Sequence, residues 1–233
     1  MTDQPTLARR LRPFVSTARW VRVVALCSLL LAAPGCAQVV LLGLLIGGPP
    51  HIQPEFETET GESLVGTDAK VAVVCYVDPD VRLKYSKIDV ELSAYVAGLM
   101  KINKINIIEP DYVRAWIDTH PDWETAEEVG RAMEADYVIE LELVDFGLYE
   151  PHSATLFRGN ATCYVKAYQI PETGSAQQLY SRDVDFMFPT KIPRPTTDQT
   201  ELSFKREYLS RLGEEIGFLF YPSYTGDKIA WAN

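Results

Sequence analysis

Histidine and cysteine are scarce in this chain, whose 233 residues include three histidines and four cysteines. His51, His120 and His152 are far apart in the sequence, and no pair of them has the spacing of a zinc site. No cysteine joins them in a ligand pattern. We therefore predict no metal site and no bound cofactor.

The sequence also lacks the loops that hold phosphates and catalytic serines. No glycine-rich loop follows the first predicted strand, because residues 77–80 read Val-Asp-Pro-Asp. The Gly-x-Ser-x-Gly elbow of serine hydrolases is absent as well. These absences predict a protein that is not an enzyme and has no small-molecule substrate.

Basic residues are scarce beyond residue 35. Five of the 22 lysines and arginines and one of the 32 acidic residues precede Cys36, which leaves 17 basic and 31 acidic residues. The remaining chain therefore carries a net charge of −14. Because such a surface repels phosphate backbones, we predict that the protein has no nucleic-acid partner.

The first 35 residues follow a three-part order. Five arginines precede an uncharged apolar run from Val23 to Leu31, and small residues follow up to Gly35. This order is typical of a bacterial export signal. Cys36 comes next, and together with Ala33 and Gly35 it resembles the lipobox of bacterial lipoproteins. The resemblance implies that residues 1–35 are a signal peptide, that Cys36 is the site of lipid attachment, and that its new amino group is acylated.

Lipidation at Cys36 would hold the protein on the periplasmic face of a membrane, with the outer membrane preferred over the inner one. A second interpretation remains open, because apolar sequence continues beyond Cys36 as far as Ile46. The 24 uncharged residues 23–46 are long enough to form an uncleaved single-pass transmembrane helix. Both interpretations place residues 50–233 outside the cytoplasm.

Composition divides the rest of the chain into a lead-in and one domain. Residues 36–68 combine the apolar segment with prolines, glycines and four glutamates, which predicts a lipid-anchored segment followed by a tether. Residues 69–225 have enough length and apolar content for one α/β domain, and residues 226–233 form a tail.

Cys75 and Cys163 each lie in a Cys-Tyr-Val segment that is typical of a strand. Outside the cytoplasm they could form a disulfide. We expect two separate buried thiols instead, because cysteines inside strands often point to different neighbours and disulfide geometry is strict. Neither is expected to be a nucleophile, because apolar surroundings raise the pKa of a thiol.

Hydrophobic periodicity predicts the element order β-α-β-α-α-β-β-β-α, which is one three-layer-like α/β domain with a mixed sheet of about five strands. A hairpin turn is expected at residues 171–174, and Ser86 is expected to cap the first helix. The predicted strands are 70–77, 105–108, 136–145, 161–168 and 179–188, and the first three predicted helices are 88–102, 110–117 and 124–135. A final helix is predicted with Leu209, Leu212, Ile216 and Phe220 along one side.

Residues 68–221 resemble a fold shared by three groups of bacterial envelope proteins. These are the amino-terminal domain of TolB, the lipoprotein activators of penicillin-binding proteins, and the curli secretion lipoproteins. The resemblance is carried by strand 70–77, the helix from Ile88, the segment Glu-Ala-Asp-Tyr-Val-Ile at 134–139, and the hairpin 168–180. It implies a non-catalytic protein that recruits partners, activates other enzymes or oligomerises.

Asp78 and Asp80 are the candidate catalytic or cation-binding residues. They follow the carboxyl end of the first strand, where open α/β sheets commonly bind ligands. Two carboxylates could bind a hard cation or act as a general base. The alternative is that Asp-Pro-Asp only forms a turn, which its composition favours.

Several aromatic residues could form a partner-binding patch or belong to the core. The loop from Tyr149 to Phe157 is the stronger partner candidate, whereas Trp116 and Phe220 are expected in the core. The full set is Trp116, Trp123, Tyr149, Phe157, Phe218, Phe220, Tyr221 and Tyr224.

The sequence thus predicts a non-catalytic, membrane-anchored lipoprotein that acts as an interaction or assembly module in the cell envelope, with a protein partner. The alternative function is an envelope hydrolase or cation-binding enzyme that uses Asp78 and Asp80.

Overall fold

The computed structural model describes residues 51–224. The predicted signal peptide, Cys36, the alternative transmembrane segment 23–46 and the tail 226–233 lie outside the described residues. The helices are α1 (Glu55–Thr60), α2 (Pro79–Lys84), α3 (Ile88–Ile102), α4 (Pro110–Thr119), α5 (Ala126–Ala132) and α6 (Glu201–Gly217). The strands are β1 (His51–Ile52), β2 (Val71–Val77), β3 (Tyr137–Tyr149), β4 (Leu156–Gln169), β5 (Gln177–Phe188), β6 (Arg194–Pro195) and β7 (Ser223–Tyr224).

Five strands form the main sheet, in the order β2-β3-β4-β5 with β6 paired to β4. β2 is parallel to β3, and every other pair in this sheet is antiparallel. β1 and β7 form a separate two-stranded antiparallel sheet. The predicted α/β class and mixed five-stranded sheet are therefore confirmed. The predicted hairpin is also present, because residues 170–176 connect β4 to β5.

Two apolar clusters lie on the two faces of β2, which explains why its sequence is almost continuously apolar. One cluster contains Val73, Cys75 and Val77 together with buried residues of α3 and α6. The other contains Ala72 and Val74 together with buried residues of α4 and α5. The sheet therefore lies between two helical layers along β2, as the three-layer prediction required.

β3 and β4 alternate between buried and more exposed residues, whereas β5 buries only Tyr180, Val184 and Phe188. Their buried residues, such as Leu141, Cys163 and Val184, face the cluster under α3 and α6. Their other face carries polar residues, including Glu140 and Lys166, which form an ion pair at 3.8 Å. The predicted meander with one buried and one wetter face is confirmed.

The predicted strand at 105–108 is wrong as a full strand. Ile105 and Ile107 form isolated bridges, one to Val65 and one to Val71, rather than a continuous ladder. The chain then turns away from β2, because Pro110 begins α4 and cannot donate a ladder hydrogen bond. The sheet reaches five strands through β6 instead.

The predicted tether is packed against the domain over part of its length. Phe56 on α1 and Leu64 are buried in the core. The Phe56 N–H donates to the Leu219 carbonyl at 3.0 Å, which ties this segment to the chain after α6. The folded domain therefore begins well before residue 69.

Two predicted helix starts are corrected. Lys87 rather than Ser86 occupies the N-cap of α3, and no side chain caps that end. α5 is shorter than the predicted 124–135, because the Thr125 hydroxyl accepts from the Glu128 N–H and fixes the start at Ala126. Glu134 has φ of 50°, which is incompatible with a continuing helix.

Candidate functional site: a groove along the free edge of the sheet

A groove of about 530 Å³ runs along the outer edge of β2, and we call it the β2 groove. Residues 73–77 of β2 form its floor. α3 and α4 form its two walls, because they cover opposite faces of the same strand. The wall residues are Val90, Ser93 and Ala94 on α3, Val113, Arg114, Ile117 and Asp118 on α4, and Trp123 after it.

Hydrogen bonds at the start of β2 show which backbone groups face this groove. The Val71 N–H donates to the Asn106 carbonyl at 2.9 Å, and the Ile108 N–H donates to the Val71 carbonyl at 2.9 Å. Asp78 points the opposite way, since its N–H donates to the Leu143 carbonyl on β3 at 3.0 Å. Because successive strand residues alternate in direction, odd-numbered residues of β2 direct their backbone groups away from β3.

Val73, Cys75 and Val77 therefore direct their N–H and C=O groups into the β2 groove. Within residues 51–224, none of these groups has a hydrogen-bond partner. An unpaired strand edge of this kind is a template for pairing with another chain. The cause is local, because the segment that pairs with Val71 leaves the sheet before Pro110.

An exposed aromatic side chain lies on the floor of the groove. Tyr76 is 48% exposed, whereas its neighbours Cys75 and Val77 are buried. It shares the α4 side of β2 with Ala72 and Val74, which α4 and α5 cover. Tyr76 thus provides an accessible aromatic surface at the end of an otherwise covered strand.

Charged side chains on the two walls are mostly paired with each other. Arg82 contacts Asp89 at 3.4 Å and Arg114 contacts Asp118 at 3.6 Å. Asp111, which also lines the groove, has no ion pair within the described residues. The groove therefore carries an excess of one carboxylate, and its exposed ion pairs contribute only modestly to stability.

Asp78 and Asp80 serve a structural purpose in this fold. Asp78 is the N-cap of α2, where its carboxylate accepts from the Asp80 N–H at 2.9 Å, and Pro79 occupies the first turn. The expected turn is thus the start of a helix. Across residues 51–224, no group of three or more His, Cys, Asp or Glu is placed to hold a metal ion.

Cys75 and Cys163 are free, buried thiols, which confirms the prediction. They lie on β2 and β4 with β3 between them and are offset by two residues in register, so their Cα atoms are more than about 9 Å apart, which is too far for a disulfide. Burial raises the pKa of Cys163 to about 12 and the pKa of Cys75 well above its usual value. Neither thiol is activated as a nucleophile.

The predicted aromatic patch at residues 149–157 is mostly structural. Phe157 is buried and stacks on Phe204 with ring centroids 4.8 Å apart. The Tyr149 hydroxyl donates to Glu201 at 2.6 Å, and this hydrogen bond raises the pKa of Tyr149 to about 12. Phe220 is buried, as predicted. Trp116 is half-buried and stacks on His120.

Sequence reasoning missed the groove and Tyr76. One sequence feature could have indicated them: the apolar segment 105–108 is followed almost at once by Pro110, so this segment is short. A segment of four residues is too short to pair with β2 along its whole length, so the backbone groups of β2 up to Val77 remain without a partner strand.

Comparisons with known proteins gave structural similarities alone, since no family model and no curated protein matches this chain. A PelC variant from Paraburkholderia phytofirmans, described as a dodecamer, is 8% identical with a TM-score of 0.41 and covers 68% of this chain and 93% of its own. The hypothetical protein CT253 from Chlamydia trachomatis is 13% identical with a TM-score of 0.38, covering 66% and 97%. The lipoprotein GNA1162 from Neisseria meningitidis is 13% identical with a TM-score of 0.37, covering 64% and 97%.

At these identities and TM-scores the similarities assign neither a family nor a function. The resemblance to TolB, to the activators of penicillin-binding proteins and to the curli secretion lipoproteins stays a prediction. Between residues 51 and 224, no helix has the length and apolar character needed to cross a membrane.

Proposed function

We propose that this chain is a non-catalytic lipoprotein, anchored to a bacterial membrane through Cys36, whose folded domain binds other proteins of the cell envelope. The observation that carries the proposal is the β2 groove, in which Val73, Cys75 and Val77 present unpaired backbone groups. Such an edge supports recognition of another polypeptide. Apart from Tyr76, Ser93 and Asp111, its lining side chains are apolar or form ion pairs. Both thiols of the domain are buried, and burial raises the pKa of each.

The anchor is tested by metabolic labelling with a radioactive fatty acid, comparing the parent chain with Cys36→Ser. The lipobox hypothesis expects label in the parent and none in Cys36→Ser, because the thiol is the attachment point. Equal labelling of both proteins would refute lipidation at Cys36. An unlabelled parent that stays in the membrane would instead support the helix at residues 23–46.

The binding role is tested by photocrosslinking in intact cells. The photoreactive residue p-benzoylphenylalanine replaces Tyr76 in the groove or, as a matched control, Leu202, which is 58% exposed on α6. We expect a discrete protein adduct from position 76 that is absent from position 202. If position 76 gives no adduct, or if both positions give the same adducts, the proposed role of the groove is wrong.

A further inference from the structure

We infer that the β2 groove receives an extended segment of a partner protein, which adds a strand to the sheet beside β2 and carries a basic residue that pairs with Asp111. This inference rests on the proposed binding function and names the chemistry of its partner. The occupant is a strand-forming peptide with apolar side chains and a lysine or arginine near one end.

The backbone of β2 is the first argument for a strand. Val73, Cys75 and Val77 offer three N–H donors and three C=O acceptors at every second residue, with a repeat of about 6.6 Å. A second extended backbone has the same repeat and can pair with all of them. A compact ligand could reach only one or two of these groups. As whole residues, backbone included, Val73 is 4%, Cys75 7% and Val77 2% exposed, so the edge lies at the bottom of a slot rather than on an open surface.

The existing contact between Val71 and residues 106–108 shows where a partner strand would lie beside β2. Residues 106–108 already lie beside the start of β2 and pair with it in parallel. The β2 groove continues this line as far as Val77. An added strand would therefore occupy the place that the chain itself vacates where α4 begins at Pro110.

The walls of the slot define the side chains that the added strand needs. Alternate residues of a strand point to opposite faces, so one set would contact α3 and the other set α4. The α3 wall offers the small residues Ser93 and Ala94, and the α4 side offers Ile117 and Trp123. Apolar side chains of moderate size suit both walls.

Charge selects a basic partner. Asp111 lies in the first turn of α4, is exposed, and lacks an ion pair among the described residues. The other acids of the groove, Asp89 and Asp118, already contact arginines. The chain beyond residue 35 is acidic as a whole, with a net charge of −14, which adds a long-range attraction for basic segments.

A second copy of this chain is a poorer occupant. Its own β2 is flanked by the same α3 and α4, which line both sides of the strand. Two such edges would bring these helices into collision before the backbones could pair. Self-association through β2 is therefore the contrary outcome that the experiment must detect.

The test uses the full-length chain in detergent micelles and a fluorescent seven-residue peptide with the sequence Lys-Val-Thr-Val-Thr-Val-Lys. Binding is followed by fluorescence anisotropy. Two control peptides have the same sequence but carry N-methyl groups on the amides of alternate residues. In one control the methyl groups block hydrogen bonding along one edge of the extended peptide, and in the other they block the opposite edge. We expect the parent peptide to bind and one N-methylated version to bind at least tenfold more weakly, because it cannot pair with β2.

Variants of the protein locate the site. Ala94→Trp should fill the groove from α3 and weaken binding at least tenfold. Ala115→Trp makes the same change at an exposed α4 position outside the groove and should leave binding unchanged. Asp111→Asn should weaken binding about threefold, whereas Asp122→Asn, exposed and outside the groove, should not.

Several results would overturn the inference: no peptide binding, equal binding of all peptide versions, or equal binding by Ala94→Trp and Ala115→Trp. A dimer in light scattering that Ala94→Trp dissociates would identify a second copy as the occupant. If the peptide fails but position 76 still crosslinks to a cell-envelope protein, the proposed function stands and the strand chemistry is wrong. If both fail, the groove is not a binding site.

Discussion

The two edges of the main sheet are protected in opposite ways. β5, at one edge, contains Arg182, Asp183 and Asp185, and α1 packs against it through Phe56 and Tyr180, whose ring centroids are 5.8 Å apart. β2, at the other edge, has no charged residue and faces a groove with unpaired backbone groups. Natural proteins usually block a free edge with charge or cover. β2 itself carries no charged residue, and no strand pairs with its outer edge at residues 73–77. This contrast with β5 is the reason we propose this edge as a binding surface.

Removing the cover of β5 should have the largest effect on stability. Phe56→Ala deletes a fully buried ring that contacts Tyr180 and Phe220, so we expect a loss of about 3 to 5 kcal/mol in the free energy of unfolding. Urea unfolding followed by circular dichroism measures it. The control Glu55→Ala removes an exposed ion pair with Arg182 and should cost at most about 1 kcal/mol. Similar losses for both variants would mean that α1 does not close the β5 edge.

The buried thiol of Cys163 on β4 should make stability fall at high pH. Burial raises the pKa of Cys163 from 9.0 to about 12, so the folded state favours the protonated thiol. Its contribution is fully present below about pH 9 and is lost as pH rises from 9 towards 12, because the unfolded chain releases its proton first. Thermal melts between pH 8 and 11 measure this loss. Cys163→Ala should have a shallower decline than the parent, and identical slopes would contradict the assignment.

The cap of α2 should have a moderate effect. Asp78→Ala removes the carboxylate that accepts from the Asp80 N–H, and we expect a loss of about 1 kcal/mol. Asp80→Ala leaves that acceptor in place and should cost less. Chemical denaturation of the two variants checks the difference. A larger loss for Asp80→Ala would show that the cap is not the reason for this Asp-Pro-Asp sequence.

A charge on the free edge should change peptide binding more than stability. Tyr76→Lys places a cation in the β2 groove, and we expect weaker binding of the basic strand peptide with a change in the free energy of unfolding within about 0.5 kcal/mol. Met187→Lys makes a comparable change on β5, where Met187 is 46% exposed, and should leave peptide binding unchanged. Fluorescence anisotropy measures the binding, and urea unfolding measures the stability. Equal effects at the two edges would remove the contrast between them.

Calcium and magnesium should leave the thermal stability of the protein unchanged. A cation site at Asp78 and Asp80 would raise the Tm through binding to the folded state. We expect an unchanged Tm up to millimolar concentrations, because Asp78 is engaged as a helix cap. A rise that Asp78→Ala abolishes would revive the enzyme alternative.

Much of the fold was readable from sequence because its elements are strongly periodic. The apolar run of β2 and the alternation in β3 and β4 gave correct strands, and Pro110 gave the correct start of α4. The prediction of a strand at 105–108 was wrong because local composition does not reveal whether a partner strand lies within reach. α1 was not predicted, because Phe56 is one apolar residue among glutamates and only tertiary contact buries it.

The candidate site was less predictable than the fold. The sequence directed attention to Asp78 and Asp80, since carboxylates are conspicuous at the end of a strand. The β2 groove instead depends on backbone groups, which every residue has and no sequence pattern distinguishes. Its existence follows from where residues 106–108 leave the sheet, and that is a property of the assembled fold.

Residue-resolved hydrogen exchange of the full-length chain, measured by NMR, tests the free edge of β2 most directly. Ala72, Val74 and Tyr76 direct their N–H groups to β3 and should be strongly protected. Val73, Cys75 and Val77 should exchange at least a hundredfold faster, and the strand peptide should slow them. Equal protection of all six amides in the protein alone would contradict the claim that this edge is free.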